Sequence, residues 1–205
     1  MPRKLRKIKK LSLYKALKIG YLRNEAKQKK RLKRFGYRID NDLTNNERLV
    51  AFNPFTNKVL FVENGSSVNP LTDVKQFTED WLNNITTIPT GVFTATPRFQ
   101  SAKSAYLKAK EKYGQDKKYE LVGHSQSAVS INELAQKGDT GYTYNGALLK
   151  QKDNPYVTNY RSVNDIVSAF SNPNDMKTLY QPRLAGQNFY QAHNINNIKD
   201  QPIFL

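Results

Sequence analysis

The 205-residue chain contains no cysteine, so no disulfide can staple it and no thiolate is present to hold a metal or attack a substrate. It has two histidines, His124 and His193, too few for a histidine-rich metal site. No apolar run reaches the roughly 18 residues a membrane-spanning helix needs. The basic N-terminus has no apolar h-region, so no secretory signal is expected. These absences agree with a reducing compartment, and the location expected from them is cytoplasmic. The apolar fraction of 38% is low yet globular, helped by 12 Tyr and 10 Phe.

Acidic residues are also scarce, 17 against 33 Lys and Arg, and the imbalance is local. Residues 1–38 carry 16 basic residues and one acid, Glu25, whereas the remainder is nearly neutral. The expected organisation is a basic N-terminal arm over residues 1–36, partly helical or disordered, followed by one domain over residues 37–205. Leu11, Tyr14, Leu17 and Leu22 fall near helical spacing within the arm. Three roles fit it: contact with nucleic-acid phosphates, peripheral contact with an anionic membrane, or a solvated leader that docks on a larger assembly such as an inner capsid. No zinc finger or RNP motif accompanies the charge.

The domain reads as α/β. Apolar runs at residues 48–52 and 58–62 flank an Asn-Pro-Phe-Thr-Asn turn and predict a β-hairpin. Ala102, Ala105, Tyr106, Ala109 and Tyr113 trace one helical face, stopped by Gly114. Strands are predicted at residues 119–122, 142–144 and 156–163, and their alternation with helices points to a mainly parallel sheet with flanking helices.

The strand at 119–122 enters Gly123-His124-Ser125-Gln126-Ser127, and a helical run with Ile131, Leu134 and Ala135 leaves it. Strand, Gly-x-Ser-x-small turn and helix form the pattern of a nucleophile elbow, in which the serine hydroxyl projects from a tight turn and the next backbone N–H faces the developing oxyanion. A serine needs a base and an orienting acid. His124 sits within the elbow, which leaves His193 as the downstream base. Asp139, Asp153, Asp165 and Asp175 lie between serine and His193 in the required order, and Asp165 is favoured because it directly follows a predicted strand. Ser125, Asp165 and His193 are the expected catalytic residues.

These residues and their neighbours resemble the class 3, fungal-lipase-like lipases of the α/β-hydrolase superfamily over roughly residues 37–205. Asn64-Gly65-Ser66-Ser67 resembles that family's Arg-Gly-Ser/Thr loop, and Asp80-Trp81-Leu82-Asn83-Asn84 its Asp-Trp-Leu-x-Asn stretch. Gly123 to Ser127 resembles Gly-His-Ser-Leu-Gly, Asp165-Ile166-Val167 the segment bearing the acid, and Ala192-His193-Asn194 the terminal histidine. Asn64, Gln126 and Ser127 stand where the family has Arg, an apolar residue and Gly. The resemblance implies a small α/β-hydrolase-like fold, an oxyanion hole from Ser66 and Gln126, and a lid over residues 68–78. The implied activity is hydrolysis of a lipid or other ester, triacylglycerol or phospholipid, with no metal or cofactor. The basic arm and the Asn/Ile-rich end also resemble lipase-like proteins of large DNA viruses and virophages, which implies a virion location. The alternative function is a weakly active or inactive lipase-fold structural protein of a virion, its arm on nucleic acid or capsid.

Overall fold

A computed structural model describes residues 9–65, 92–148, 154–163, 165, 168, 177–179 and 189–205. The elements, in order, are helices α1 (Leu13–Gly20) and α2 (Glu25–Leu32), strands β1 (Arg38–Ile39), β2 (Arg48–Asn53) and β3 (Lys58–Glu63), then helix α3 (Pro97–Tyr113). They continue as β4 (Lys118–His124), α4 (Ser127–Leu134), β5 (Thr140–Tyr144), β6 (Val157–Ser162), β7 (Lys177–Leu179), the short helix α5 (Phe189–Ala192) and a final 3-10 turn at Ile195–Ile198. The seven strands form one sheet in sequential order. β1 to β3 pair antiparallel, and every pairing from β3 to β7 is parallel. The chain is therefore α/β with a mainly parallel sheet and helices on its faces, as the alternation predicts.

Strand alternation splits the core into two layers. Val59 and Phe61 of β3 and Tyr119 and Leu121 of β4 pack with Phe99, Ala102, Tyr106 and Ala109 of α3 and with Val129 and Ile131 of α4. The opposite residues, Leu60, Val62 and Val122, pack under Leu13, Ala16, Leu17 and Ile19 of α1. No helix of the described residues is long and apolar enough to cross a membrane.

The boundary expected after residue 36 needs correction, because α1 and α2 cover a face of the sheet. Leu13, Ala16 and Leu17 are completely buried. Each buried leucine of this stripe contributes on the order of 1.5–3 kcal/mol. The start of the segment is tied to the C-terminal residues: the Leu13 N–H donates to the Ile203 carbonyl at 2.9 Å, and the Leu205 N–H donates to the Leu11 carbonyl at 2.9 Å. Ser12 and Asn24 cap the two helices through their side-chain oxygens. The cations sit on the outer surface and the apolar stripe faces inward, so charge density concealed a structural element.

The predicted hairpin is β2–β3, with Asn57 in the left-handed region of its turn. Helix α3 begins at Pro97, ahead of the predicted apolar face that starts at Ala102; Thr96 caps it and Pro97 opens it. The predicted lid at 68–78 and the Asp80 to Asn84 stretch lie outside the described residues.

Candidate active site

β4 ends at His124, α4 begins at Ser127, and Ser125 lies on the turn between them with φ +60°. A non-glycine residue held there costs on the order of 1–3 kcal/mol and persists only where its surroundings impose it. The constraints are identifiable. The Ser125 N–H donates to the Tyr144 carbonyl at the end of β5 (3.1 Å), and the Ser125 carbonyl accepts from Ala128 (3.1 Å) and Ala147 (3.4 Å). Gly123 is required beneath the turn, since a Cβ there would meet Ile131 at 2.7 Å and the Ser127 carbonyl at 2.9 Å.

Ser127, where the resembled family has glycine, closes the elbow. Its Oγ accepts from the His124 N–H at 2.8 Å and lies 2.8 Å from the Glu63 carbonyl and 2.9 Å from the His124 carbonyl, to which its one proton can be donated. The hydroxyl thereby ties the turn to the C-terminal end of β3. The neighbouring Gln126 is partly exposed at the head of α4, and its backbone N–H has no acceptor among the described residues.

His193 and Asp165 meet directly. His193 Nδ1 lies 2.6 Å from Asp165 Oδ1, and the residues are 3% and 2% exposed. Only a protonated Nδ1 can serve a carboxylate, so Nε2 is the basic nitrogen of the neutral ring. The other carboxylate oxygen accepts from the Ser168 N–H at 2.7 Å. Burial alone would raise Asp165, but the facing His193 and the hydrogen bonds from His193 and Ser168 outweigh it and hold the carboxyl below its usual range. Asp139, an alternative acid by chain order, is bound instead to Tyr106 and Lys110 of α3. Asp153 and Asp175 lie outside the described residues.

A hydrogen-bond chain joins this pair to the elbow through two residues whose role the sequence does not disclose. His124 Nε2 is 3.0 Å from the His193 carbonyl oxygen, an acceptor only, so the proton is on Nε2. The His124 Nδ1 lone pair then accepts from the Tyr21 hydroxyl at 2.8 Å, and Tyr21 in turn accepts from the Gly65 N–H at 2.7 Å. Burial, reinforced by repulsion from His193 whenever that ring is protonated, pushes the His124 pKa down to about 3, so the imidazole stays neutral. Burial pushes the Tyr21 phenol up to about 12, which keeps it a donor. The His124 and His193 rings lie 4.7 Å apart. Asn145 and Asn197 both donate to the Ala192 carbonyl, at 2.9 and 3.1 Å, and fix the backbone immediately before the base.

The loop after β3 is held against the elbow. A Cβ on Gly65 would lie 3.1 Å from the Ser125 Cβ and 2.8 Å from the His124 carbonyl, and Arg98 of α3 donates to the carbonyls of Asn64 and Gly65. Ser66, the expected oxyanion residue, lies outside the described residues, directly after this loop. The structure thus joins Asp165 to His193 and links both to the Ser125 turn through His124. No family model matches the chain, and neither a curated protein nor a solved structure matches it.

Proposed function

We propose that the protein is a serine-dependent carboxylic ester hydrolase of the lipase or esterase type, built on an α/β-hydrolase-like scaffold. The observation that carries this reading is a left-handed serine on a strand-to-helix turn whose preceding residue, His124, is hydrogen-bonded to the backbone of a buried His–Asp pair. A left-handed serine alone can be a plain turn residue. A buried His–Asp pair alone can be a structural ion pair. Their connection through His124 at the C-terminal edge of a parallel sheet, where chemistry in such sheets is concentrated, favours a reaction site.

In this reading Ser125 Oγ attacks the ester carbonyl carbon while its proton passes to His193 Nε2. Asp165 holds the imidazolium that forms. The oxyanion is met by the Gln126 N–H at the head of α4, with Ser66 as the second donor. Collapse breaks the C–O bond of the ester, and the departing alcohol takes the proton from His193. Water then attacks the acyl-enzyme, with His193 as base again, releasing the carboxylic acid and restoring Ser125. Lipid esters, triacylglycerol or phospholipid, are the proposed substrates.

Hydrolysis of short-chain nitrophenyl esters tests this reading. Turnover that falls at least about a thousandfold in Ser125→Ala supports it. Turnover unchanged by that substitution defeats it. No turnover by the folded parent protein favours the inactive structural alternative.

A further inference from the structure

Helix α1, the end of α2 and the 3-10 turn that follows it (Lys33–Phe35) line a half-open cavity of about 390 Å³. Lys9, Lys15, Lys18, Arg31 and Arg34 line its rim, and none forms an ion pair among the described residues. Its floor is apolar, formed by Tyr14, Ile19 and Phe35. Lys18 Nζ donates to the Tyr14 hydroxyl at 2.8 Å, and Lys15 Nζ sits 5.7 Å from the centre of the Phe35 ring. Lys15 and Lys18 are therefore held near the floor by local contacts. Five uncompensated cations around an apolar concavity suit an anion that carries a hydrocarbon body.

We propose that this cavity binds the phosphate-bearing headgroup of an anionic phospholipid and docks the protein on a lipid surface. The rim would surround the phosphate, and the floor would take the glycerol and the first methylenes of the chains. A polynucleotide is the poorer fit, because tracking successive phosphates calls for an extended basic groove, whereas these five cations surround one local concavity with an apolar floor. Position agrees with the lipid. Tyr21, which reaches the elbow, follows Lys18 by three residues, about 4.5 Å of helix rise. Docking here would bring a lipid surface to the helix that abuts the site. The preference for lipid over polynucleotide rests on the ester-hydrolase reading, whereas the anion site itself does not.

The test uses Ser125→Ala protein, which cannot turn over the vesicle by the proposed route, so binding and hydrolysis are read separately. Sedimentation with phosphatidylcholine vesicles, with and without phosphatidylglycerol, is measured for this protein and for two charge-matched variants of it. One carries Lys15→Gln, Lys18→Gln and Arg34→Gln at the rim. The other carries Lys27→Gln, Lys30→Gln and Lys33→Gln, exposed cations outside the cavity. Binding should require phosphatidylglycerol and fall by about tenfold or more in the rim variant, with a clearly smaller loss in the control variant. Dihexanoyl phosphatidylglycerol should compete, and inorganic phosphate at equal concentration should not. Equal losses in both variants would assign the binding to diffuse charge and overturn the site. An oligonucleotide that binds through the rim while vesicles do not would overturn the lipid assignment.

Discussion

The Tyr21 hydroxyl lies 2.8 Å from Nδ1 of His124, placing a residue from the basic N-terminal segment one contact away from the backbone of His193. The same oxygen accepts from the Gly65 N–H, so one phenol joins the loop after β3 to the turn that bears Ser125. Tyr21→Phe leaves that N–H without its acceptor and His124 without its donor. The expected cost is about 1–3 kcal/mol of stability. Displacement of the His193 backbone should lower kcat by about tenfold or more with little change in KM. Combining Tyr21→Phe with His124→Gln should cost less than the sum of the two, because both break one chain. Strict additivity in kcat and melting temperature would contradict a shared network.

Ser127 is predicted to be structural. Ser127→Ala removes the acceptor of the buried His124 N–H and the hydroxyl facing the Glu63 carbonyl, for a loss of about 1–3 kcal/mol in chemical denaturation. Ser127→Gly should be at least as costly, since glycine also adds unfolded-state entropy at the start of α4. A glycine variant as stable as the parent would mean that the hydroxyl contributes nothing to the elbow.

Gly65→Ala places a methyl group against the Tyr21 hydroxyl, the His124 carbonyl and the Ser125 Cβ. Two of these are parts of the elbow, so the loop must retreat. Ester hydrolysis should fall by about a hundredfold while the protein remains folded by circular dichroism. Retention of full activity would show that the loop need not touch the elbow.

Two buried groups give stability opposing pH slopes. Desolvation, opposed by Arg48, raises the Glu63 carboxyl from 4.5 to about 7, so the folded state binds its proton more tightly than the unfolded chain does. That contribution, up to about 3 kcal/mol, is present below pH 4.5 and is lost as pH rises through 7. His124, lowered from 6.5 to about 3, acts the other way: its contribution is complete above 6.5 and is lost as pH falls towards 3. Glu63→Gln removes only the first slope. The melting temperature of this variant, relative to the parent, should therefore rise between pH 4.5 and 7 and level off above. A difference that stays constant over this range would contradict the buried, proton-holding Glu63.

The residues legible in sequence were those carrying a pattern. The serine turn followed from its flanking strand and small residues, and the pairing of Asp165 with His193 followed from chain order and the scarcity of histidine. Tyr21 carried no such pattern, because its contact with His124 spans 103 residues and exists only once α1 has docked on the sheet. The same docking contradicts the boundary drawn after residue 36. Eleven cations and one acid between residues 9 and 36 suggested a solvated arm, whereas the apolar stripe among them covers β3 and β4. Strands β1 and β7, of two and three residues, are too short to show a period. The start of α3 was available in Thr96-Pro97, a cap followed by a first-turn proline.

The most direct test of the proposed nucleophile is intact-mass spectrometry after incubation with a serine-reactive alkyl fluorophosphonate, followed by peptide mapping. One adduct per chain, located on Ser125, absent from Ser125→Ala and formed at least about a hundredfold more slowly in His193→Ala, is the predicted result. Folded protein that takes up no adduct, or an adduct that persists at the same rate in either variant, would contradict the assignment of Ser125 and His193 as nucleophile and base.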